Sequence, residues 1–314
     1  MSEEFTQIDW DTQTENACRH LVRTWIHEDL AQGKDWTTLA IVEPNSCAQA
    51  VVRSRESGIV CGLRAAETVL DEMKISVDWT APVTDGTYVE PDTALIQIAG
   101  PADGLLTAER LVLNLIGHLS GVASLTQRYV CTVAGTQAKV YDTRKTTPGF
   151  RRLEKYAVRC GGGFNHRSGL YDAILIKDNH LAHASSLQHS GENPLVSAVQ
   201  QSRRLLDRVR PSGTTPKMII EVEVDTLEQL RAVFPACPNI VLLDNFSCDA
   251  LRTACQLRDE TYPAVQLEAS GGINLDTIAA VAATGVDRIS VGALTHSAPN
   301  FDVGLDWIRP DVRL

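Results

Sequence analysis

KMIIEVEVDTLEQLRAVFPACPNIVLLDN, residues 217–245, holds the pattern that decides the fold. Two short runs rich in Val, Ile and Leu flank a stretch with helical periodicity, which predicts a strand, a helix and a second strand. Four further strand candidates follow residue 128: AKVYDT (138–143), AILIKD (173–178), AVQLEAS (264–270) and DRISVGA (287–293). Helix candidates separate them, so this part of the chain is predicted to form parallel strands joined by right-handed helical crossovers.

The six predicted strands can form either an open doubly wound sheet or a barrel. They are too few for a complete (β/α)8 barrel, so an incomplete, TIM-like α/β barrel fits best. Before residue 128, strands such as ALIQIAG (94–100) mix with helices such as RAAETVLDEM (64–73), which is typical of a layered domain of helices and strands. The fold class is therefore α/β, with a domain boundary near residue 128.

Composition excludes several classes of partner. The chain has 314 residues and a formal net charge of −10, which argues against binding to nucleic acid or to an anionic membrane. No apolar run reaches the about 20 residues that a membrane-spanning helix needs. The eight scattered cysteines lack metal-binding spacing and indicate reduced, mostly buried thiols in a cytoplasmic protein. The polar, acidic start MSEEFTQIDWDTQTENA (1–17) is unlike a signal peptide.

Charged or small residues end nearly every predicted strand after residue 128. They are Asp142, Arg144, Lys145, Lys177, Asp178, Glu221, Glu223, Asp244, Glu268, Ser270, Gly271, Gly272 and Gly292. The carboxyl ends of parallel strands meet at one edge, where α/β folds build their sites. The pattern predicts a ligand site there.

Two glycine-containing turns suggest one ligand. SGGI (270–273) precedes a predicted helix that begins NLDTIAA (274–280), and SVGAL (290–294) ends the next unit. Backbone N–H groups in such turns can bind a phosphate, although a tight turn can require glycine for its shape alone. Both interpretations stay open from the residues alone.

A cluster of basic residues suggests a polyanion. From Arg144 to Arg167 there are seven arginines and lysines against one acid, Glu154. Four of them, on the helical stretch 151–159, can be ordinary solvated surface. Arg144 and Lys145 instead follow a strand directly, where guanidinium suits carboxylates and ammonium suits phosphate.

Several other side chains have alternative roles. Lys177 can be a phosphate-binding cation or a Schiff-base lysine, but nearby acids favour the charged ammonium and hence the first role. Glu223 and Asp244 can hold Mg²⁺ or sugar hydroxyls, or they can form an internal salt bridge to Lys177 or Arg144. His166, His180 and His183 have poor spacing for zinc, so structural hydrogen bonds are the preferred interpretation.

The longest of these motifs, DTRKTTPGFRRLEKYAVRCGGGFNHRSGLYDAILIKDNHL (142–181), resembles the signature of the quinolinate phosphoribosyltransferase family. Further matching stretches span most of the chain. They are EDLAQGKDWTT (28–38), ERLVLNLIGHLSGVAS (109–124), EVEVDTLEQL (221–230), LLDNFS (242–247) and LEASGGINLDTIAAVAATGVDRISVGALTHSAP (267–299). No catalytic position departs from the family pattern, and the acidic N-terminal extension before Cys18 has no counterpart.

The resemblance implies a pentosyltransferase of de novo NAD biosynthesis. Quinolinate would attack 5-phosphoribosyl-1-pyrophosphate, releasing pyrophosphate and CO2 and giving nicotinate mononucleotide. It implies an α/β sandwich domain (residues 1–128), a barrel domain (129–297) and a C-terminal segment (298–314) that packs back on the sandwich domain. It also implies a homodimer, or a hexamer, in which the sandwich domain completes the neighbouring subunit's site.

The resemblance implies site roles as well. Arg110 of the neighbouring subunit, Arg144, His166 and Arg167 would bind quinolinate, with Thr143 also in the substrate site. Lys145 and Lys177 would face phosphates and the departing carboxylate. Glu223 and Asp244 would hold ribose hydroxyls and Mg²⁺, which is the expected cofactor. The 5-phosphate would lie against Ser270, Gly271, Gly272, Gly292 and Ala293.

Three other functions are compatible with some of the same residues. They are a related phosphoribosyltransferase acting on another acid, a non-catalytic phosphosugar-binding protein and an aldolase-type lyase. The set Arg110, Arg144, His166 and Arg167 favours quinolinate, and Lys145, Lys177, Glu223 and Asp244 together favour catalysis.

Overall fold

The computed structural model describes residues 4–31, 33–184, 193–209 and 218–308. The helices there are α1 (Thr12–Leu30), α2 (Trp36–Ile41), α3 (Leu63–Glu72), α4 (Ala102–Thr132), α5 (Arg151–Cys160), α6 (Asp178–Ala182), α7 (Pro194–Val209), α8 (Leu227–Val233), α9 (Cys248–Thr261), α10 (Ile278–Ala282) and α11 (Ala293–His296), with a 3-10 turn at Phe234–Ala236. The strands are β1 (Cys47–Ser54), β2 (Gly58–Ile59), β3 (Asp78–Thr80), β4 (Tyr88–Val89), β5 (Ala94–Pro101), β6 (Lys139–Tyr141), β7 (Ile174–Ile176), β8 (Ile220–Val224), β9 (Ile240–Asp244), β10 (Gln266–Ser270), β11 (Arg288–Ser290) and β12 (Val303–Ile308).

The chain divides into two compact units. The barrel unit comprises Met1–Gln7, Arg128–Lys145 and Phe164–Ala293. The sandwich unit comprises Ile8–Gln127, Thr146–Gly163 and Leu294–Leu314. The three segment boundaries expected from the sequence stay a prediction.

The sandwich unit is built on an antiparallel sheet with strand order β12-β1-β5-β3. The last described strand, β12, pairs with β1 from Gln49↔Ile308 to Ser54↔Val303. Helix α1 begins at a cap in which the Asp11 side chain accepts from the Thr14 N–H, because the first turn of a helix has no internal acceptors. Helix α4 passes so close to residue 299 that a Cβ on Gly121 would lie 2.0 Å from the Pro299 carbonyl oxygen.

The described residues of the barrel unit form six parallel strands in the order β6-β11-β10-β9-β8-β7. Its core consists of side chains such as Val222, Leu230, Leu243 and Ile289, which are fully or almost fully buried. The predicted fold class, a sandwich domain with a TIM-like incomplete α/β barrel, is confirmed. Strands β6 and β7 are the two edges of this sheet.

Two local expectations differ from the structure. The helix predicted from residue 274 is the short α10, because Asn274 first forms a turn in which its side chain accepts from the Asp276 and Thr277 N–H groups. All eight cysteines are free thiols, but only Cys18, Cys61 and Cys255 are buried, so the expectation of mostly buried thiols was wrong. No helix in the described ranges is long and apolar enough to cross a membrane.

Candidate active site

Strand register brings the predicted acids to one edge of the barrel sheet. In β8, Ile220, Val222 and Val224 are buried on one face, so Glu221 and Glu223 share the other. Parallel pairing sets Glu223 beside Leu242, and Ser270 beside Asp244. Glu223, Asp244 and Ser270 therefore lie towards the carboxyl ends of three neighbouring strands.

Lys177 and Glu223 form an ion pair at this edge. Leu175 of β7 pairs with Glu221 of β8. Two residues further along each strand, on the same face of the sheet, Lys177 therefore lies beside Glu223. The internal salt bridge considered for Glu223 is thus present. A Schiff-base lysine needs an amine that is free to attack a carbonyl carbon, whereas the Lys177 amine is engaged by a carboxylate, so the contact favours the phosphate-binding role.

The turn after β6 carries the two cations that follow that strand. The Thr143 hydroxyl oxygen accepts from the Lys145 N–H at 3.0 Å, which shapes the backbone around Arg144. Arg144 is half-buried and Lys145 is exposed. Thr143 therefore fixes this turn, and its place in the substrate site stays a prediction.

Arg167 is buried next to Arg144. Its side chain is 6% exposed and donates to the Ala173 carbonyl oxygen at 3.1 Å. Burial lowers the pKa of Arg167, and the nearby positive charge of Arg144 lowers it further. Two arginines held close together with little access to water favour a ligand that carries more than one negative charge.

His166 lies beneath these arginines with both ring nitrogens engaged by the protein. Its Nδ1 accepts from the Arg167 N–H at 2.8 Å, which assigns the ring proton to Nε2. Nε2 lies 3.0 Å from a Glu221 carboxylate oxygen, and the His166 N–H donates to Asp142 at 2.8 Å. In this arrangement His166 supports the backbone of Arg167, while its predicted contact with quinolinate stays a prediction.

The charged network around His166 differs from the prediction, which placed Glu221 and Glu268 at the ligand edge of the sheet, because both are buried beside His166. Glu221, Glu268 and Arg288 are fully buried. Arg288 Nε donates to Glu268 at 2.9 Å, and the other Glu268 oxygen lies 3.5 Å from His166 Nε2. Burial raises the pKa of both glutamates. At Glu221, His166 and the neighbouring arginines outweigh burial, so its pKa is lowered. At Glu268 burial prevails, so its pKa is raised. The sequence signal that could have predicted this buried network is a charged residue in the middle of an apolar, buried parallel strand.

The glycines after β10 satisfy a backbone requirement. Gly271 and Gly272 have φ of +95° and +61°, which side chains disfavour. A Cβ on Gly271 would lie 2.2 Å from the Asn245 side-chain oxygen, whereas a Cβ on Gly272 would meet nothing within 4 Å. The space beside Gly272 allows a ligand to approach the backbone.

Gly292, Ala293 and Arg110 complete the predicted set. Gly292 and Ala293 follow the carboxyl end of β11, the strand beside β10. Arg110 is an exposed residue of α4 and belongs to the sandwich unit, whereas the other predicted site residues belong to the barrel unit.

Glu223 and Asp244 suit a magnesium ion by the chemistry of their donors. They are hard carboxylate ligands at the carboxyl ends of neighbouring strands, and Mg²⁺ typically takes one or two carboxylates together with substrate phosphates. Among the described residues, three potential ligands meet within 4.8 Å at His166, Glu221 and Glu268. There the Arg288 guanidinium already supplies positive charge, so the edge pair fits Mg²⁺ better.

Two family profiles of known proteins match this chain. The family profile described as quinolinate phosphoribosyl transferase, C-terminal domain, matches residues 122–306, and that of the N-terminal domain matches residues 35–120. The chain belongs to the quinolinate phosphoribosyltransferase family.

Individual members of the quinolinate phosphoribosyltransferase family align over most of their length. The nicotinate-nucleotide pyrophosphorylase (carboxylating) of Mycobacterium leprae is 44% identical over 93% of this chain and 97% of its own. The protein of that name from Rattus norvegicus is 33% identical over 91% and 89%. The solved nicotinate-nucleotide pyrophosphorylase structure from Francisella tularensis has a TM-score of 0.84 at 35% identity and covers 97% of this chain and 100% of its own.

Proposed function

We propose that this protein transfers the phosphoribosyl group of 5-phosphoribosyl-1-pyrophosphate to quinolinate, giving nicotinate mononucleotide for NAD synthesis. The ring nitrogen forms a bond to C1′ as the bond from C1′ to pyrophosphate breaks. The bond from C2 to its carboxylate then breaks, CO2 leaves, and a proton takes its place. The quaternised ring nitrogen accepts electron density during this step, so decarboxylation needs no organic cofactor.

The pair Arg144 and Arg167 is the observation that carries the proposal. Arg167 is almost completely buried, and the charge of Arg144 lowers its pKa further. Quinolinate has two adjacent carboxylates, so it can neutralise both guanidinium groups, whereas nicotinate has one. A dicarboxylate is therefore the acceptor that relieves this repulsion most fully.

The edge residues would hold the phosphorylated sugar. Lys145 and Lys177 would face phosphate groups and the departing carboxylate. Glu223 and Asp244 would bind ribose hydroxyls, and Ser270, Gly271, Gly272, Gly292 and Ala293 would surround the 5-phosphate. Fixed charges of both signs stabilise the sugar cation and the pyrophosphate as they develop, without reorganisation at the moment of reaction.

Magnesium is part of the proposal. When bound through Glu223 and Asp244, it would neutralise charge on the leaving pyrophosphate. The Lys177–Glu223 ion pair would have to open or shift as substrate arrives, which lets Lys177 pass from a carboxylate to a phosphate.

A second copy of the chain is the proposed source of Arg110. Arg110 is exposed on α4, and Trp36, Leu39 and Ile41 on α2 are 74%, 61% and 76% exposed. An apolar surface of this kind on the sandwich unit supports a homodimer, or a hexamer, with shared active sites. The eight free thiols support a cytoplasmic location.

The experiment that tests the acceptor compares two ring acids. Purified protein, 5-phosphoribosyl-1-pyrophosphate and Mg²⁺ are mixed with quinolinate or with nicotinate, and nucleotide formation is followed by chromatography. We expect product from quinolinate and at least about a hundred-fold less from nicotinate, because one arginine then lacks its carboxylate. Equal rates with the two acids would contradict the role given to the arginine pair.

Mixing two variants tests the shared site. Arg110→Ala and Arg144→Ala should each be inactive but folded. After subunit exchange, mixed dimers should contain one intact site, which restores about a quarter of the wild-type activity. Absence of any activity after proven subunit exchange would contradict an active site shared between subunits. It would not contradict the roles proposed for the barrel residues.

A further inference from the structure

Residues 4–7 are part of the barrel unit. Glu4–Gln7, here called the N-terminal plug, precedes the first helix and belongs to the barrel unit although residues 8–127 belong to the other unit. Phe5 is 4% exposed and clusters with the buried Ala173, Ile219 and Ile240. The family profile for the N-terminal domain begins only at residue 35.

Gln7 holds the backbone next to His166. Its side-chain Nε2 donates to the Asn165 carbonyl oxygen at 3.1 Å, and its Oε1 accepts from the Asn165 N–H at 2.8 Å. The neighbouring Phe164 pairs with the edge strand β6, donating to Val140 at 2.8 Å. The Gln7 amide therefore pairs with both backbone groups of Asn165 beside β6, the edge strand of the described sheet.

Phe5 holds the ring of His166. The two ring centroids are 4.4 Å apart, and the planes are inclined by 32°. The Arg288 guanidinium lies 4.9 Å from the Phe5 ring centroid and 3.7 Å from that of Tyr141. Phe5 is thus in contact with His166 and with the arginine below it.

Glu4 completes the buried charge network. Its carboxylate accepts from Arg288 Nη1 at 3.1 Å, from the Tyr141 hydroxyl at 2.8 Å and from Lys139 at 3.0 Å. Arg288 in turn binds Glu268, which lies next to His166. A continuous series of charged contacts leads from Glu4 to the residue that supports Arg167.

We propose that Glu4, Phe5 and Gln7 are positioning residues for the acceptor site, because they fix His166 and through it the backbone of Arg167. The inference rests on the proposed function, since it assigns Arg167 to quinolinate. None of the three residues touches substrate in this account. They act by preventing small displacements of a charged group, and a displacement of about 1 Å can cost a hundred-fold in rate.

The proposal makes a selective prediction. The plug contacts Asn165, His166 and Arg288. The residues assigned to the phosphosugar, such as Glu223, Asp244 and Gly272, lie instead along the carboxyl edge of the sheet. Loosening the plug should therefore weaken the use of quinolinate while the use of 5-phosphoribosyl-1-pyrophosphate changes little. A plug that served stability alone would lower the melting temperature and affect both substrates alike.

The test uses two plug variants and a matched control in the full chain. Glu4→Gln removes the charge opposite Arg288, Phe5→Ala removes the ring beside His166, and Thr6→Ala alters the exposed side chain that follows Phe5. KM for each substrate, kcat and the melting temperature are measured at saturating Mg²⁺. We expect KM for quinolinate to rise about five-fold in Glu4→Gln and about ten-fold or more in Phe5→Ala, with KM for the phosphosugar within about two-fold and Thr6→Ala unchanged.

If Phe5→Ala does not fold, Phe5→Leu replaces it and keeps an apolar side chain in the cluster. Glu4→Gln then gives an independent measurement of KM for the two substrates. A lower melting temperature with KM for quinolinate unchanged, or an equal rise for both substrates, would overturn the positioning role. Failure of the wild-type protein to turn over quinolinate would instead show that the proposed function is wrong. The two failures are therefore distinguishable.

Discussion

The interior of the barrel unit and the α1–α3 surface of the sandwich unit use charge in opposite ways. In the barrel, Glu221, Glu268 and Arg288 are fully buried; His166 lies between the two glutamates, and Arg288 pairs with Glu268. On the sandwich surface, Arg19 pairs with Glu15, Asp71 and Glu72, and Arg23, whose side chain is 67% exposed, also pairs with Glu72.

The difference follows from the cost of removing charge from water. A buried charge must be compensated on all sides, so each partner that is removed leaves another charge uncompensated. An exposed pair is screened by solvent and contributes little. We therefore expect charge changes in the barrel to affect binding and stability strongly, and matched changes on the α1–α3 surface to affect neither.

The largest expected effect comes from Arg144. Arg144→Ala should lower kcat/KM for quinolinate by about a thousand-fold, because a carboxylate loses a charged partner in a site with little water. Arg144→Lys should recover only part of this, since an ammonium cannot bind a carboxylate through two parallel hydrogen bonds. Steady-state kinetics measures both, and Arg23→Ala is the matched control, expected to keep wild-type activity.

The next effect concerns stability. Arg288→Met leaves Glu268 and Glu4 without their main cation and should lower the free energy of unfolding by about 3 kcal/mol or more, measured by denaturant unfolding. The double variant Arg288→Met/Glu268→Gln should recover part of the loss, because the uncompensated carboxylate is then gone. Additive losses in the double variant would show that the two residues do not act as a pair.

Chelation of Mg²⁺ and a variant of Glu223 distinguish the requirements of the phosphosugar from those of quinolinate. Chelation of Mg²⁺ should stop turnover, and adding it back should restore the rate. Glu223→Gln should raise KM for 5-phosphoribosyl-1-pyrophosphate by about ten-fold and leave quinolinate binding by calorimetry unchanged. Full activity in the presence of chelator would refute the assignment of magnesium to Glu223 and Asp244.

The smallest effect tests the sandwich side of the comparison. The Thr14 N–H lowers the pKa of Asp11 to about 2, below its ordinary value of 3.8. A lowered carboxyl pKa stabilises the fold above the ordinary value, and this contribution is lost as the pH falls from about 4 towards 2. Melting temperatures of wild type and Asp11→Asn should therefore converge slightly over that range, and an unchanged difference would contradict this role of the cap.

Much of the barrel could be predicted because its signals are local. Short apolar runs separated by helical stretches gave the six strands, and charged residues at strand ends gave the edge that carries Glu223, Asp244 and Ser270. Strand register converts those sequence positions into neighbours, since residues at the ends of parallel strands share one edge.

The support beneath the site could not be predicted, because it depends on distant contacts. Glu4 and Arg288 are 284 positions apart, and nothing in the polar start of the chain signals a buried Phe5. His166 lies in a segment without helix or strand periodicity, so the inward direction of its ring was not visible. The helix expected from residue 274 was shortened by hydrogen bonds of the Asn274 side chain, which compete with helix formation.

Carbon dioxide release is the most direct test of the central claim. Quinolinate labelled in its 2-carboxylate is incubated with the protein, Mg²⁺ and 5-phosphoribosyl-1-pyrophosphate, and labelled CO2 and nicotinate mononucleotide are counted together. The account predicts equal amounts of the two, and none of either when the phosphosugar is omitted. Nucleotide that retains the label, or no nucleotide from folded protein, would contradict the assignment of a carboxylate-releasing phosphoribosyl transfer to this barrel.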